Sequence, residues 1–176
     1  RVRLDFDANE GLAEGAVLRF YGVPILAAPV LSFPVTEDRK SGWLPPLITT
    51  SSNAGFGLSV PYYWNIAPDL DATLTPTVLS KRGAGLESEF RYLRPHWRGE
   101  INGFWLPRDL TAGRDRWATR WTQQGDLPDD VHYDWHLLRV SDDNYWKDGL
   151  RGAESLTPRL LASTAQAQQR RLLQVA

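Results

Sequence analysis

The feature that most limits what this chain can become is a two-residue rhythm. From 54 to 64 the even positions are Ala54, Phe56, Leu58, Val60, Tyr62 and Trp64, and the odd ones Gly55, Gly57, Ser59, Pro61 and Tyr63. In an extended backbone successive side chains point to opposite faces, so the stretch makes one apolar face and one small or polar face. Leu70, Ala72, Leu74 and Val78 then alternate with Asp69, Asp71, Thr73, Thr75 and Thr77, and Leu86, Phe90 and Tyr92 with Glu87, Glu89 and Arg91. The rhythm continues through Trp97, Ile101 and Trp105, through Trp117, Thr119 and Trp121, and through Tyr133, Trp135 and Leu137. A helix would repeat its apolar positions at three and four, and these segments do not. Each is about ten residues long, the length a tilted strand needs to cross a bilayer.

Turn-rich stretches separate the segments: "NIAPD" at 65–69, "SKRGAG" at 80–85, "LRPHWRG" at 93–99, "PRDLTAGRD" at 107–115, "QGDLPDD" at 124–130 and "SDDNYWKDGLRGAES" at 141–155. Connections this short join sequential antiparallel strands into a meander. The longest, 107–115 and 141–155, lie two strands apart and so on one side of the sheet. In a membrane barrel that side faces outward, and the turns at 65–69, 93–99 and 124–130 face the periplasm.

Composition narrows the class. The 176 residues carry a formal charge of −1, which implies neither nucleic acid nor an anionic membrane surface as partner. Eight Trp, six Tyr and six Phe supply amphipathic rings, and no window is apolar for long enough to make a transmembrane helix. Without cysteine the chain has no disulfide and no thiolate metal site. It begins "RVRLDF", without Met or a leader pattern, and is read as an internal or processed segment of a longer protein.

Residues 41–68 contain no charged side chain yet include Pro45, Pro46, Pro61 and Pro68. Proline donates no ladder hydrogen bond and belongs at sheet edges or bulges. The alternation makes this run a short strand at about 42–49, a turn at "TTSSN", and a second strand at 54–64. Pro46 and Pro61 fall in those two strands. Two readings stand here: edge protection against wrong pairing, or a deliberately weak seam.

The first 40 residues differ in texture. They mix short strands with Gly and Pro turns, place Glu10 and Glu14 in a first loop, and contain a run at 23–33 that is apolar on both faces. That pattern suits strands in a soluble two-layer β domain, with "TEDRKSG" at 36–42 as the boundary. At the other end, Leu156, Leu160, Leu161, Leu172 and Leu173 suit a helix face, while the preceding hairpins favour a further strand.

Candidate chemistry is sparse. His132, Asp134 and His136 share a strand face, as metal ligands would, and Asp69/Asp71 and Glu87/Glu89 are same-face acid pairs. Both patterns are what a strand lining a watery interior carries anyway. No phosphate loop, nucleophile elbow or cysteine nucleophile is present, so no catalytic residue, cofactor site or metal site is assigned. Tryptophans and tyrosines near strand ends suit the interfacial belts of a membrane barrel.

The string from Gly22 to Leu93, with "GVP", "SFP", "RKSGWLPP", "VPYYWNIAP", "DATLTP", "KRG" and "EFRYL", closely resembles the lipopolysaccharide-assembly, or organic-solvent-tolerance, family of outer-membrane proteins. The likeness beyond Leu93 is looser. The resemblance implies a periplasmic β-jellyroll followed by a large β-barrel, plugged by a lipoprotein partner (LptE). Lipopolysaccharide would arrive along a periplasmic jellyroll bridge (LptA), follow the jellyroll groove, and leave sideways into the outer-membrane lipids between the first and last barrel strands. It further implies an all-β chain: 1–40 the C-terminal jellyroll strands and linker, 41–176 roughly the first eight strands of a barrel that this stretch does not close. Pro46 and Pro61 match the family's gate prolines. The family's disulfide cysteines are missing from this stretch.

Alternation then assigns faces. Asp71, Thr73, Thr75, Glu87, Glu89 and His132 would line the lumen, and Phe56, Leu58, Val60, Tyr62, Trp64, Tyr92 and Trp105 would face lipid and its aromatic belt. The expected function is transport of lipopolysaccharide to the outer leaflet of a Gram-negative outer membrane, without enzymatic chemistry. The rival readings are a general porin segment and a soluble carbohydrate-binding β-sandwich.

Overall fold

A computed structural model of the protein describes residues 1–5, 7, 10–20, 22–33, 35, 39–145 and 163–169. Among these every regular element is a strand, and no helix is long and apolar enough to cross a membrane. β1 (Val2–Asp5), β2 (Glu10–Phe20) and β3 (Val23–Phe33) form a small antiparallel sheet in sequence order. Glu10 and Glu14 therefore lie in a strand rather than in the expected loop. Glu14 sits opposite Val30 on β3.

The second sheet is a meander of β4 (Gly42–Trp43), β5 (Leu47–Ser51), β6 (Gly55–Ser59), β7 (Tyr62–Ala67), β8 (Leu70–Leu79), β9 (Gly83–Arg94), β10 (Trp97–Asp109), β11 (Arg114–Leu127), β12 (Val131–Val140) and β13 (Thr164–Gln169). β4 and β5 are two pieces of one strand, and so are β6 and β7, because each pair lies along a single partner. The sheet starts at β5 and stops at β13 without closing on itself. β13 supplies a strand within the ambiguous C-terminal stretch, while Leu156, Leu160, Leu161, Leu172 and Leu173 lie outside the described residues.

Strands run further into the expected turns than the turn residues suggest. β9 reaches Arg94 and β10 starts at Trp97, leaving a two-residue turn at Pro95–His96, and β11 extends to Leu127. Proline ends the pairing at each of these turns because it brings no donor. The turns at 68–69, 95–96 and 128–130 share one end of the sheet, and those at 52–54, 80–82 and 110–113 share the other, which also carries 141–145.

Register fixes the faces. Leu58 pairs Val78, Val78 pairs Ala84, Leu86 pairs Trp105, and Trp105 pairs Trp117. Directly paired residues point to the same side, so the apolar positions of successive strands merge into one surface. Trp64, Trp97, Trp105, Trp117, Phe56 and Leu86 are all exposed on it. Close to the short turns this surface holds a hydrogen-bonded aromatic cluster. Trp121 Nε1 donates to the Tyr92 hydroxyl at 2.8 Å, Tyr92 donates to Gln123 Oε1 at 2.7 Å, and Gln123 Nε2 donates to the Tyr133 hydroxyl at 2.9 Å. The Tyr92 ring lies across Gly99, where a Cβ would collide with it, and the Tyr133 hydroxyl covers Gly125 in the same way.

The other face is polar over most of its length and closes into a small core near the long loops. Phe104, Leu106, Ala118 and Tyr145 are buried together there, with Val140 packed against them.

Candidate functional site

The site begins where the first hairpin fails to be regular. Gly42 and Trp43 pair Tyr63 and Tyr62, and pairing resumes with Leu47 opposite Ser59. Three residues, Leu44, Pro45 and Pro46, therefore oppose two, Val60 and Pro61, which makes a bulge. The interruption contains Pro46 itself, which is thus between strand pieces and not inside a strand as the alternation suggested. One backbone bond crosses it, from Leu44 N–H to the Pro61 carbonyl at 2.9 Å. Pro61 has no N–H to return.

The next seam repeats the defect. β6 and β7 keep one unbroken register against β8, from Ser59 opposite Thr77 to Tyr62 opposite Leu74. Between them Val60 N–H donates to the Pro76 carbonyl at 3.1 Å, and Pro76 again returns nothing. Pro76 escaped the sequence reading, although Pro46, Pro61 and Pro76 stand fifteen residues apart in turn. That interval was the available signal: it is the length of one strand and its turn.

Both ends of this hairpin are fastened. At the short-turn end Arg39, from the linker, donates Nε to the Tyr63 hydroxyl at 2.8 Å and Nη1 to the Pro68 carbonyl at 2.9 Å, and pairs through Nη2 with Asp71. Asn65 Nδ2 donates to the Arg39 carbonyl, and Asn65 N–H to Ser41 Oγ, both at 2.8 Å. Arg91 completes the group with Nε 2.8 Å from Asp71 Oδ1. The Tyr63 hydroxyl above all holds the Arg39 guanidinium above its ordinary range, with desolvation opposing and Asp71 adding to the rise.

At the long-loop end Lys81 Nζ donates to the Ser52 carbonyl at 2.8 Å, and Arg82 Nε to the Asn53 carbonyl at 3.2 Å. Arg82 also meets Asp109 at 2.6 Å with both side chains buried. Arg116 lies 4.0 Å from Asp109 and 3.1 Å from Asp142, and its guanidinium sits over the Tyr145 ring. Four successive connections at the long-loop end are thereby linked in one chain of contacts. None of Arg39, Arg82, Asp109, Arg116, Asp142 or Tyr145 was singled out from sequence, because each is defined by a partner 24 or more residues away.

Asp71, Thr73 and Thr75 pair Arg91, Glu89 and Glu87, so five of the six residues expected in the lumen share one patch. Four of these, Thr73, Thr75, Glu87 and Glu89, line one pocket with Asn102. His132 is on the same face near the short turns, with Nδ1 2.9 Å from Asp126 Oδ1. His136 Nε2 stands 3.9 Å from Asp134 Oδ2, and among the described residues no group of three or more acids and histidines is disposed to hold a metal. Phe56, Leu58, Val60, Tyr62, Trp64, Tyr92 and Trp105 lie on the opposite, apolar face.

An unclosed antiparallel meander with one polar and one apolar face, preceded by a small β-sheet and entered through a proline-broken hairpin, is the class that the fold and site define. A family model described as "LptD protein" matches residues 12–111. The LPS-assembly protein LptD of Bordetella pertussis is 52% identical over 147 residues, covering 84% of this chain and 19% of that protein. Those of Albidiferax ferrireducens and a Polaromonas species are each 45% identical, over 93% and 92% of the chain and 22% and 20% of the relatives. The chain belongs to the LptD family. It spans about a fifth of the length of these curated relatives.

Proposed function

We propose that this chain is the part of a lipopolysaccharide-assembly protein in which the jellyroll hands its cargo to the barrel wall. Residues 1–40 are its periplasmic jellyroll strands, and 41–176 the first strands of a barrel in the outer membrane. The observation that carries the reading is the broken first hairpin, in a chain about half identical to LPS-assembly proteins.

The geometry suits an amphiphile. A polar face carrying Thr73, Thr75, Glu87 and Glu89 accepts the sugar head, while the apolar face meets lipid tails. Along the strands from Phe56 to Arg139, register and alternation put charge on the apolar face only at Arg94, Asp115 and Arg139. Pro46 and Pro61 mark the lateral gate through which lipopolysaccharide reaches the outer leaflet. The plug lipoprotein LptE and the bridge protein LptA are the expected partners, and the motive force comes from outside this chain.

Photoreactive residues introduced into the full-length protein in liposomes test this. One at Thr75 should label lipopolysaccharide during transport, and one at Trp105 should label phospholipid acyl chains. Equal labelling of phospholipid at both positions, with no lipopolysaccharide at Thr75, would overturn the assignment of faces.

A further inference from the structure

We propose that Pro76 extends the gate across a second seam, so that the moving part is the whole hairpin 42–67, bowing at mid-height between two fastened ends. This rests on the gate reading above and adds which backbone moves. The alternative is a first strand that peels away alone, with the second strand fixed to the third.

The direction in which each proline lacks its donor carries the argument. In an antiparallel ladder a residue's N–H and C=O point toward the same neighbour. The Pro61 carbonyl accepts from Leu44, so the missing Pro61 donor also faces the first strand. The Pro76 carbonyl accepts from Val60, so its missing donor faces the hairpin and not β9. The β8–β9 ladder accordingly runs without a shift from Leu70 opposite Tyr92 to Leu79 opposite Gly83. Two adjacent seams are each one bond short at neighbouring levels, and the third is whole.

The fastenings lie on either side of this line. Arg39 and Asn65 tie the short-turn end, and Lys81 and Arg82 tie the turn at Ser52–Asn53. Beside the Val60–Pro76 gap the buried hydroxyls of Ser59 and Thr77 meet across the second seam at 2.9 Å. That side-chain bond closes the seam where the backbone does not. A hairpin tied at both ends and weakened in the middle opens a window while its ends stay in register.

The Ser59–Thr77 pair flanks a hydrogen-bonded pair and is therefore a non-hydrogen-bonded one, whose short Cα separation suits a disulfide. In the full-length protein in cells, oxidised S59C/T77C should slow surface delivery of lipopolysaccharide at least several-fold, with recovery on reduction. P76V, which restores the donor without a crosslink, should slow delivery in the same direction. It should also slow amide exchange at Val60 at least tenfold. If both variants deliver at the unmodified rate while a crosslink between the first and last barrel strands stops delivery, the hairpin does not bow and the gate stands. If that crosslink is also without effect, the gate reading itself falls.

Discussion

Arg82 and Asp109 meet at 2.6 Å across 27 residues of sequence, with 2% and 0% of their surfaces exposed. Asp109 also accepts from the Thr111 N–H at 2.9 Å, so a single carboxylate shapes its own loop and anchors the neighbouring one. Arg82 then reaches Asn53 in the first turn at the same end of the sheet. The pair is the middle link between the first hairpin and the rest of this rim of the sheet.

Replacing Asp109 by Asn removes the buried carboxylate that the Arg82 guanidinium meets, while Arg116 keeps Asp142. Breaking one partner of a buried pair costs about 3–5 kcal/mol, so D109N should unfold at clearly lower urea in detergent micelles. The double variant R82M/D109L should lose less than D109N, because no orphaned charge remains.

Asp142 gives the rim a pH dependence. Burial raises its pKa, but the Ser141 hydroxyl, Arg116, the Asn144 N–H and Arg114 outweigh that and hold it below the ordinary 3.8. A depressed folded value means that its stabilisation is full well above pH 3.8 and is lost as the pH falls through the depressed value. Hydrogen exchange at 141–145 should speed up in acid, and D142N should be fast at neutral pH with a flatter profile.

Tyr145 sets the opposite limb. Burial pushes its phenol well above the ordinary 10, with Glu87 and Asp142 adding to the shift and Arg116 opposing it. Stability from the neutral phenol is present below pH 10 and declines as the pH climbs above it. Y145F should remove the alkaline loss of order at 141–145 while retaining the acid one.

Gly99 is needed for what lies over it. Placing a methyl there forces the Tyr92 ring off its bonds to Trp121 and Gln123. Overpacking of this kind costs about 1–3 kcal/mol, and G99A should lower the unfolding midpoint. Y92F keeps the ring and loses both hydroxyl bonds, and a smaller loss than G99A is expected.

The strands were legible because a half-apolar surface imposes period two on every segment, and Leu70–Val78 or Leu86–Tyr92 could not be read otherwise. Faces followed from the same pattern. Tertiary pairings did not: Arg39 finds Tyr63 and Asp71 only after register brings β7 beside β8, and nothing in "EDRKSG" announces it. Glu10 and Glu14 look like loop residues because charge and glycine dominate that stretch, yet pairing of Glu10 with Asp5 on β1 and of Glu14 with Val30 on β3 overrides local composition. Pro76 was hidden by a strong alternation around it, since its ring fits the apolar face and only its missing donor matters.

The most direct measurement is a crosslink in the full-length protein between the strand that bears Pro46 and the last strand of the barrel. The gate account predicts that locking this seam stops lipopolysaccharide from reaching the cell surface, and that releasing the lock restores it. Undiminished export through a locked seam would contradict the account at its centre.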